Sequence, residues 1–352
     1  MKKFHFFPLE LGMRTNIRIF APMILVTGGT GLIGSHLLLE LTEKSIPVRA
    51  IYRNSEHISY TERLFEKEGK TASLQQVEWF RADLNDIITL QEALQGVTHC
   101  YHCAALVSFD PGDYHTLRKI NIEGTANIVN CCLDAGVKKL CFVSSIATLG
   151  KLANRDFIDE SSHWNSEEEN NVYAITKYGA EMEVWRGTQE GLPAVIINPG
   201  VVLGESFRKH SSTDRILNVI HKRIRYYPKG GTGFVDVKDV VWAMVNCTES
   251  EIKNERFIAV GENRTYEEFL SLAAEIYEKP APEKPLPDWL LSIMWRLDWL
   301  RSKLTGTKRK ISSNTAKALS TTSAYDSLKL KKATGIVFNP LSFTLRRIAG
   351  HS

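Results

Sequence analysis

The sequence predicts an α/β protein built on a doubly wound parallel sheet, with a smaller lobe made mostly from the C-terminal part. Three observations carry this expectation. A glycine-rich turn joins an apolar run to a helically spaced run in "MILVTGGTGLIGSHLLLEL", residues 23–41. Short apolar runs then alternate with helical segments as far as Gly200, which implies parallel strands joined by right-handed crossovers. Beyond Gly200 the alternation breaks down, and a second lobe is expected to begin there.

Ile24, Leu25 and Val26 suit a buried first strand, and Thr27 to Thr30 supply a turn. Residues 32–41 repeat apolar side chains at helical spacing and leave Glu40 outside. Gly28, Gly31 and Gly34 spell G-x-x-G-x-x-G. The first glycine permits the tight turn, the second lets a pyrophosphate approach the backbone, and the third lets helix and strand pack closely. The helix N-terminus adds free N–H groups and the positive end of its dipole. Glycines alone are weak evidence, but a strand before and a helix after make this a dinucleotide-binding unit.

The remaining elements follow in order. Residues 48–52 and 77–81 read as the second and third strands, 86–94 as a helix and 98–103 as the fourth strand. Residues 114–135 read as one long helix, 139–145 as the fifth strand, 171–189 as a helix and 194–200 as the sixth strand. The chain is expected to return to the sheet near 233–244, in "GFVDVKDVVWAM", and the proline-rich 278–287 reads as a linker. The domain expectation is therefore a dinucleotide-binding domain over 23–198 with a return around 233–262, and a substrate lobe from 199–232 and 263–348.

A chain of 352 residues with 43% hydrophobic and 24% charged residues reads as an ordinary globular protein. The net charge of +4 is too small and too dispersed to imply nucleic acid. Residues 1–22 lack the continuous apolar core of a signal peptide, because Pro8, Glu10, Arg14 and Arg18 interrupt them. Met23 opens a complete first strand. Residues 1–22 are thus expected to be a disordered extension, and a chain starting at Met23 is expected to fold and bind cofactor. The six cysteines have no disulfide spacing. Cys100 and Cys103, three apart on an expected strand, point to opposite faces, and no second pair completes a metal site. Reduced core cysteines in a cytoplasmic protein without a bound metal are expected.

Tyr173 and Lys177 lie four apart on an expected helix, on one face. A tyrosine hydroxyl has a pKa of about 10 in water, and a nearby ammonium lowers it, so the pair suits acid/base chemistry. Ser145 ends the fifth strand, where open α/β sheets place ligands, and its hydroxyl could share a substrate oxygen with Tyr173.

Together with "ADL" (82–84), "HCAAL" (102–106), "NIEGTANIV" (121–129), "VSSIA", "YAITK", "NPGVVLG" (198–204) and "GFVDVKDV", these residues make the chain resemble an extended short-chain dehydrogenase/reductase. This is the NAD-dependent epimerase/dehydratase superfamily, and the dihydroflavonol-reductase-like branch resembles the chain most. The resemblance implies a Rossmann-type sheet, with Ser145, Tyr173 and Lys177 as catalytic residues and Lys177 also holding the nicotinamide ribose. It implies Gly28, Thr30, Gly31, Leu32, Ile33 and Gly34 at the pyrophosphate, and Asp83 and Leu84 at the adenine. Ala104, Ala105 and Asn121 are implied along the cofactor cleft, and Pro199 near the nicotinamide.

Charge decides the expected cofactor. Where NAD-binding members place an acidic residue after the second strand, this chain has Tyr52 followed by Arg53. No carboxylate there repels a 2′-phosphate and an arginine can pair with it, so NADP is expected over NAD. Ile146 follows Ser145 where 4,6-dehydratases carry an acidic residue, which disfavours dehydration. The expected activity is NADPH-dependent reduction of a ketone or aldehyde on a small, moderately apolar molecule. An NAD-retaining nucleotide-sugar epimerase is the alternative, kept open by Asn198, and a cofactor-sensing protein without turnover is a third reading. The expected partner is a small carbonyl or hydroxyl substrate, with homodimerisation left open. Residues 288–304, with three tryptophans among leucines, are too short and charged to span a bilayer. A substrate-covering helix, an interfacial membrane helix and plain core packing all remain open for them.

Overall fold

The computed structural model describes residues 23–150, 156–207, 213, 219–220, 222, 225–309 and 312–350. Residues 1–22, and the expectation attached to them, lie outside that range. The strands in chain order are β1 (Met23–Thr27), β2 (Val48–Tyr52), β3 (Val77–Arg81), β4 (Val97–His102), β5 (Lys139–Val143) and β6 (Ala194–Pro199). They continue as β7 (Val201–Leu203), β8 (Tyr226–Tyr227), β9 (Gly231–Asp236), β10 (Glu255–Ala259), β11 (Glu262–Thr265) and β12 (Lys284–Pro285). Among the described residues, seven strands form one parallel sheet in the order β10-β6-β5-β4-β1-β2-β3. From β1 the chain winds outward to β3 and then crosses back to β4. The gap between the C-terminal ends of β1 and β4 is thus the topological switch point, where such sheets hold ligands.

Both faces of the sheet are covered, which is why its strands read as continuous apolar runs. Leu25 packs with Cys100, Leu140 and Ile196 in one layer, while Val26 packs with Tyr101, Val143 and Ile197 in the other. Cys100 and Cys103 fall on opposite layers, as strand alternation requires, and all six cysteines are free thiols.

Four sequence expectations need correction. The long helix at 114–135 is broken: Tyr114–Leu117 runs into a π-helical turn, Arg118–Glu123, and only then into the helix Gly124–Asp134. The wider turn carries Asn121 inward, and Gly124 lets the backbone close on Leu84, where a Cβ would sit 2.9 Å from the leucine Cβ. The expected strand at 139–145 ends at Val143, because Ser145 begins and caps a short turn over Ile146–Thr148.

The return of the chain differs too. Gly231–Asp236 does not enter the main sheet; it lies between β7 and β11 in a three-stranded sheet. Its Phe234 stacks on Phe269 at 4.3 Å in the core of the second lobe. The helix Val237–Glu249 and β10 make the return instead, with β10 pairing parallel to β6. Finally, the proline-rich stretch is more than a linker, since β12 inside it pairs with β8.

Ion pairs tie the lobe to the sheet. Arg347, on the last helix (Leu341–Ala349), pairs with Asp236 at 2.7 Å and with Glu205, and His36 Nε2 of the first helix (Leu32–Glu43) lies 3.6 Å from Glu205.

Candidate active site

The glycine turn is shaped by contacts that only glycine allows. Gly28 has φ +71°, in the left-handed region, and a Cβ on it would lie 2.7 Å from the Ala104 nitrogen. A Cβ on Gly34 would lie 2.1 Å from the Gly28 carbonyl oxygen, which allows the helix to start directly over the turn. Gly31 begins that helix with no side-chain cap and no acidic residue in the first turn. Its N–H groups and dipole are left for an external anion, which fits a pyrophosphate.

A cleft opens from this turn across the end of the sheet. Gly28, Thr30 and Gly31 line it together with Asp83, Leu84, Ala104 and Ala105. Arg53 and His57 line the same cleft. Arg53 is exposed, and Tyr52 beside it packs edge-on against Trp79 at 6.3 Å. Asp83 Oδ1 accepts from the backbone N–H and the side-chain amide of Asn85.

Asn121 stands behind the cleft wall instead of in it. It is buried, its Oδ1 accepts from Leu106 N at 2.8 Å, and its Nδ2 donates to Leu106 O at 3.0 Å and Thr176 Oγ1 at 3.2 Å. It therefore clamps the cleft-lining segment at Leu106 to the helix Val172–Gln189. Pro199 ends β6 beside Ala259 of β10.

Ser145, Tyr173 and Lys177 come together at the ends of β5 and the helix Val172–Gln189, which Asn171 caps by accepting from Ala174 N. The Ser145 side chain lies close enough to Tyr173 to lower its pKa, and its hydroxyl accepts from Ala147 N at 3.1 Å. The Ser145 carbonyl is held by Thr148 Oγ1 at 2.9 Å and Asn198 Nδ2 at 3.1 Å. Lys177 is buried, donates to Val143 O at 2.7 Å and lies 4.3 Å over the Phe142 ring. Burial lowers its pKa to about 8, against the favourable charge of Glu181. Burial raises the Tyr173 pKa and the Ser145 side chain opposes this, so Tyr173 stays a protonated donor at neutral pH. That reverses the expectation of a lowered tyrosine: desolvation is the largest effect on it.

Several supporting residues were not singled out in the sequence. Glu181, fully buried, accepts from Ser144 Oγ at 2.6 Å, Thr148 Oγ1 at 2.9 Å and Asn198 Nδ2 at 3.0 Å, and pairs with Arg256 at 3.2 Å. Its signal in the sequence was its place one turn after Lys177. Buried His102 links β1 to the helix Gly124–Asp134, with Nδ1 2.6 Å from Thr27 Oγ1 and Nε2 3.0 Å from Thr125 Oγ1. Thr125 donates onward to Asn121 O at 2.5 Å, and Ala104 N donates to Thr27 Oγ1 at 3.1 Å, which assigns the proton to Nε2. Burial holds the His102 pKa down to about 3, so the ring is neutral. Phe109 packs edge-on against the Tyr173 ring at 5.5 Å.

The family profile described as "NAD dependent epimerase/dehydratase family" matches residues 24–261. The chain belongs to that family. It is an NAD(P)-binding enzyme of the oxidoreductase type. The chain is 30% identical to sterol demethylase protein B of Methylococcus capsulatus, over 76% of this chain and 78% of that protein. It is 29% identical to cinnamoyl-CoA reductase 1 of Oryza sativa subsp. japonica, over 74% of this chain and 78% of that protein. A crystal structure of UDP-glucose 4-epimerase from Thermotoga maritima with UDP-glucose shares the fold, with a TM-score of 0.72, 21% identity and coverage of 94% and 98%. Among the described residues no helix is long and apolar enough to cross a membrane.

Proposed function

We propose that the protein is an NADPH-dependent reductase of a ketone or aldehyde on a small, moderately apolar molecule. The observation that carries this reading is that the Ser145 and Tyr173 side chains come together just past the end of β5, beside the glycine-lined cleft. The names of the two relatives, a sterol demethylase protein and a cinnamoyl-CoA reductase, support an apolar substrate. The ring of Phe109 against Tyr173 supports it as well.

The residues present fit a dinucleotide. Gly28, Thr30, Gly31, Leu32, Ile33 and Gly34 would hold the pyrophosphate, with Asp83 and Leu84 at the adenine and Ala104 and Ala105 along the cleft. Exposed Arg53, with no carboxylate at Tyr52, would pair with a 2′-phosphate. When bound, the cofactor supplies a hydride for the carbonyl carbon. Tyr173 gives its proton to the carbonyl oxygen, and the Ser145 hydroxyl holds that oxygen in place. Lys177, buried one turn further along the same helix, would hold the nicotinamide ribose. The epimerase reading has less support, because the Asn198 side chain is buried and donates to Ser145 O, Thr148 and Glu181.

Steady-state oxidation of NADPH across a panel of carbonyls tests the function. Wild type is expected to turn over at least one apolar aldehyde or ketone and to bind NADPH more tightly than NADH; Arg53→Glu is expected to reverse that order. Equal affinity of wild type for both cofactors, read by cofactor fluorescence, would overturn the cofactor assignment.

A further inference from the structure

The helix Asp288–Thr305 leaves one apolar face open to solvent. Leu291 is its single buried residue. Trp289, Ile293, Leu297, Leu300 and Leu304 are all exposed, with 65% of Trp289, 60% of Leu297 and 78% of Leu304 accessible. Their spacing of four, four, three and four residues puts them in one stripe, roughly 22 Å long at helical rise. This excludes plain core packing for the segment. An uninterrupted apolar face of this length is costly in water unless something covers it.

Charge identifies what covers it. Residues 288–310 carry six Lys and Arg against two Asp; Arg301 pairs with Asp298 and Lys308 with Asp113, which leaves Arg296 and Lys303 as the exposed cations of the helix itself. The cations flank the apolar stripe. Arg296 lies over the Trp295 ring at 4.6 Å, and Lys303 over the Trp299 ring at 4.9 Å, both exposed. Tryptophan with basic side chains beside a leucine stripe matches the boundary between headgroups and acyl chains. The pattern is too short and polar to cross the bilayer. We infer that this helix seats the protein on the surface of a bilayer containing anionic phospholipid, with the stripe among the acyl chains and the basic residues at the phosphates.

The same helix is joined to the mouth of the active site. At its C-terminal end Lys308 pairs with Asp113 at 2.8 Å, and Arg309 N donates to Asp110 at 2.8 Å. Asp110 and Asp113 bracket the loop that follows Phe109, whose ring packs on Tyr173. A bilayer held against this helix therefore lies next to the entrance, so an apolar substrate could pass from lipid to the cleft with little exposure to water. This goes beyond the reductase reading, and its test needs no turnover.

Co-sedimentation of the full chain with vesicles decides the matter. Phosphatidylcholine vesicles are compared with vesicles of phosphatidylcholine and phosphatidylglycerol. The protein is expected to partition to the mixed vesicles, less so at high salt, with a blue shift of tryptophan emission. Leu297→Glu with Leu304→Glu is expected to weaken that partition by about tenfold or more, with melting temperature and cofactor affinity unchanged. Full recovery in the supernatant with both vesicles would overturn the inference. A wild-type dimer in sedimentation velocity that the double substitution makes monomeric would also overturn it, since a second copy would then cover the face.

Discussion

Tyr173, Ser145 and Lys177 divide the work of the site by environment. Tyr173 is kept protonated by burial, with the Ser145 side chain close beside it. Tyr173→Phe is expected to lower kcat by about a hundredfold or more while the dissociation constant for NADPH changes less than about twofold. Parallel turnover assays and fluorescence titrations check this. Lys177 gives a second expectation. Its folded pKa of about 8 lies below the usual 10.5, so the folded protein releases a proton that the unfolded chain keeps between those values. Stability from this group therefore rises with pH across that window and is lost as pH falls through about 8. Lys177→Met removes the titration. The melting temperature of the variant relative to wild type should be highest below pH 8 and decline toward pH 10, as read by thermal scans at both ends. Glu181→Ala should cost about 3–5 kcal/mol of stability, because Arg256 would lose its buried carboxylate partner. Denaturant titration measures that loss.

The turn between β1 and the helix Leu32–Glu43 acts as a single rigid piece. Gly34 presses on Gly28, and Gly28 on Ala104, and these contacts are backbone to backbone, so no side chain can move aside. Gly34→Ala is expected to abolish NADPH binding and lower the melting temperature by several degrees. Gly112→Ala is the matched control: its added methyl would meet only the Asp110 side chain, at 3.4 Å, and near-normal binding is expected. The π turn Arg118–Glu123 is the second rigid piece. Through Asn121 it holds Leu106 and Thr176 together, so the cleft lining at Leu106 and the acid/base helix move as one.

Across the molecule, the two lobes are joined by a buried cluster of charge. Burial would raise the Glu205 carboxyl, but the His36 contact and the Arg347 guanidinium hold its pKa at about 2. The stability it supplies is complete above the usual 4.5 and is lost as pH falls toward 2. Asp239 acts in the opposite sense. Burial pushes its pKa up to about 6, so its contribution is present below about 3.8 and lost as pH rises through 6. Arg347→Met should destabilise the chain by about 3–5 kcal/mol at pH 7, since Asp236 would be left buried without its cation and Glu205 would keep only Lys67, at 3.5 Å. The deficit should shrink as pH falls below the usual 4.5 toward 2, the window over which Glu205 loses its contribution. Melting curves from pH 3 to 7 check both statements.

Much of this was legible along the chain, for a local reason. Buried parallel strands are short apolar runs, helices repeat every three to four residues, and Tyr173 and Lys177 are one turn apart, so neighbours in sequence already describe the element. The glycine turn and the missing carboxylate after β2 are local as well. What sequence alone did not settle depends on distant partners. Glu181 meets Arg256, seventy-five residues away, and Ser145 O and Thr148, about fifty residues away, claim the Asn198 amide. Strand β9 joins the second lobe because Phe234 finds Phe269 there. Residues 288–304 have the composition of a core helix; only the packing of their neighbours decides that the leucine and tryptophan stripe faces outward, since burial belongs to the assembled surface and not to the residue.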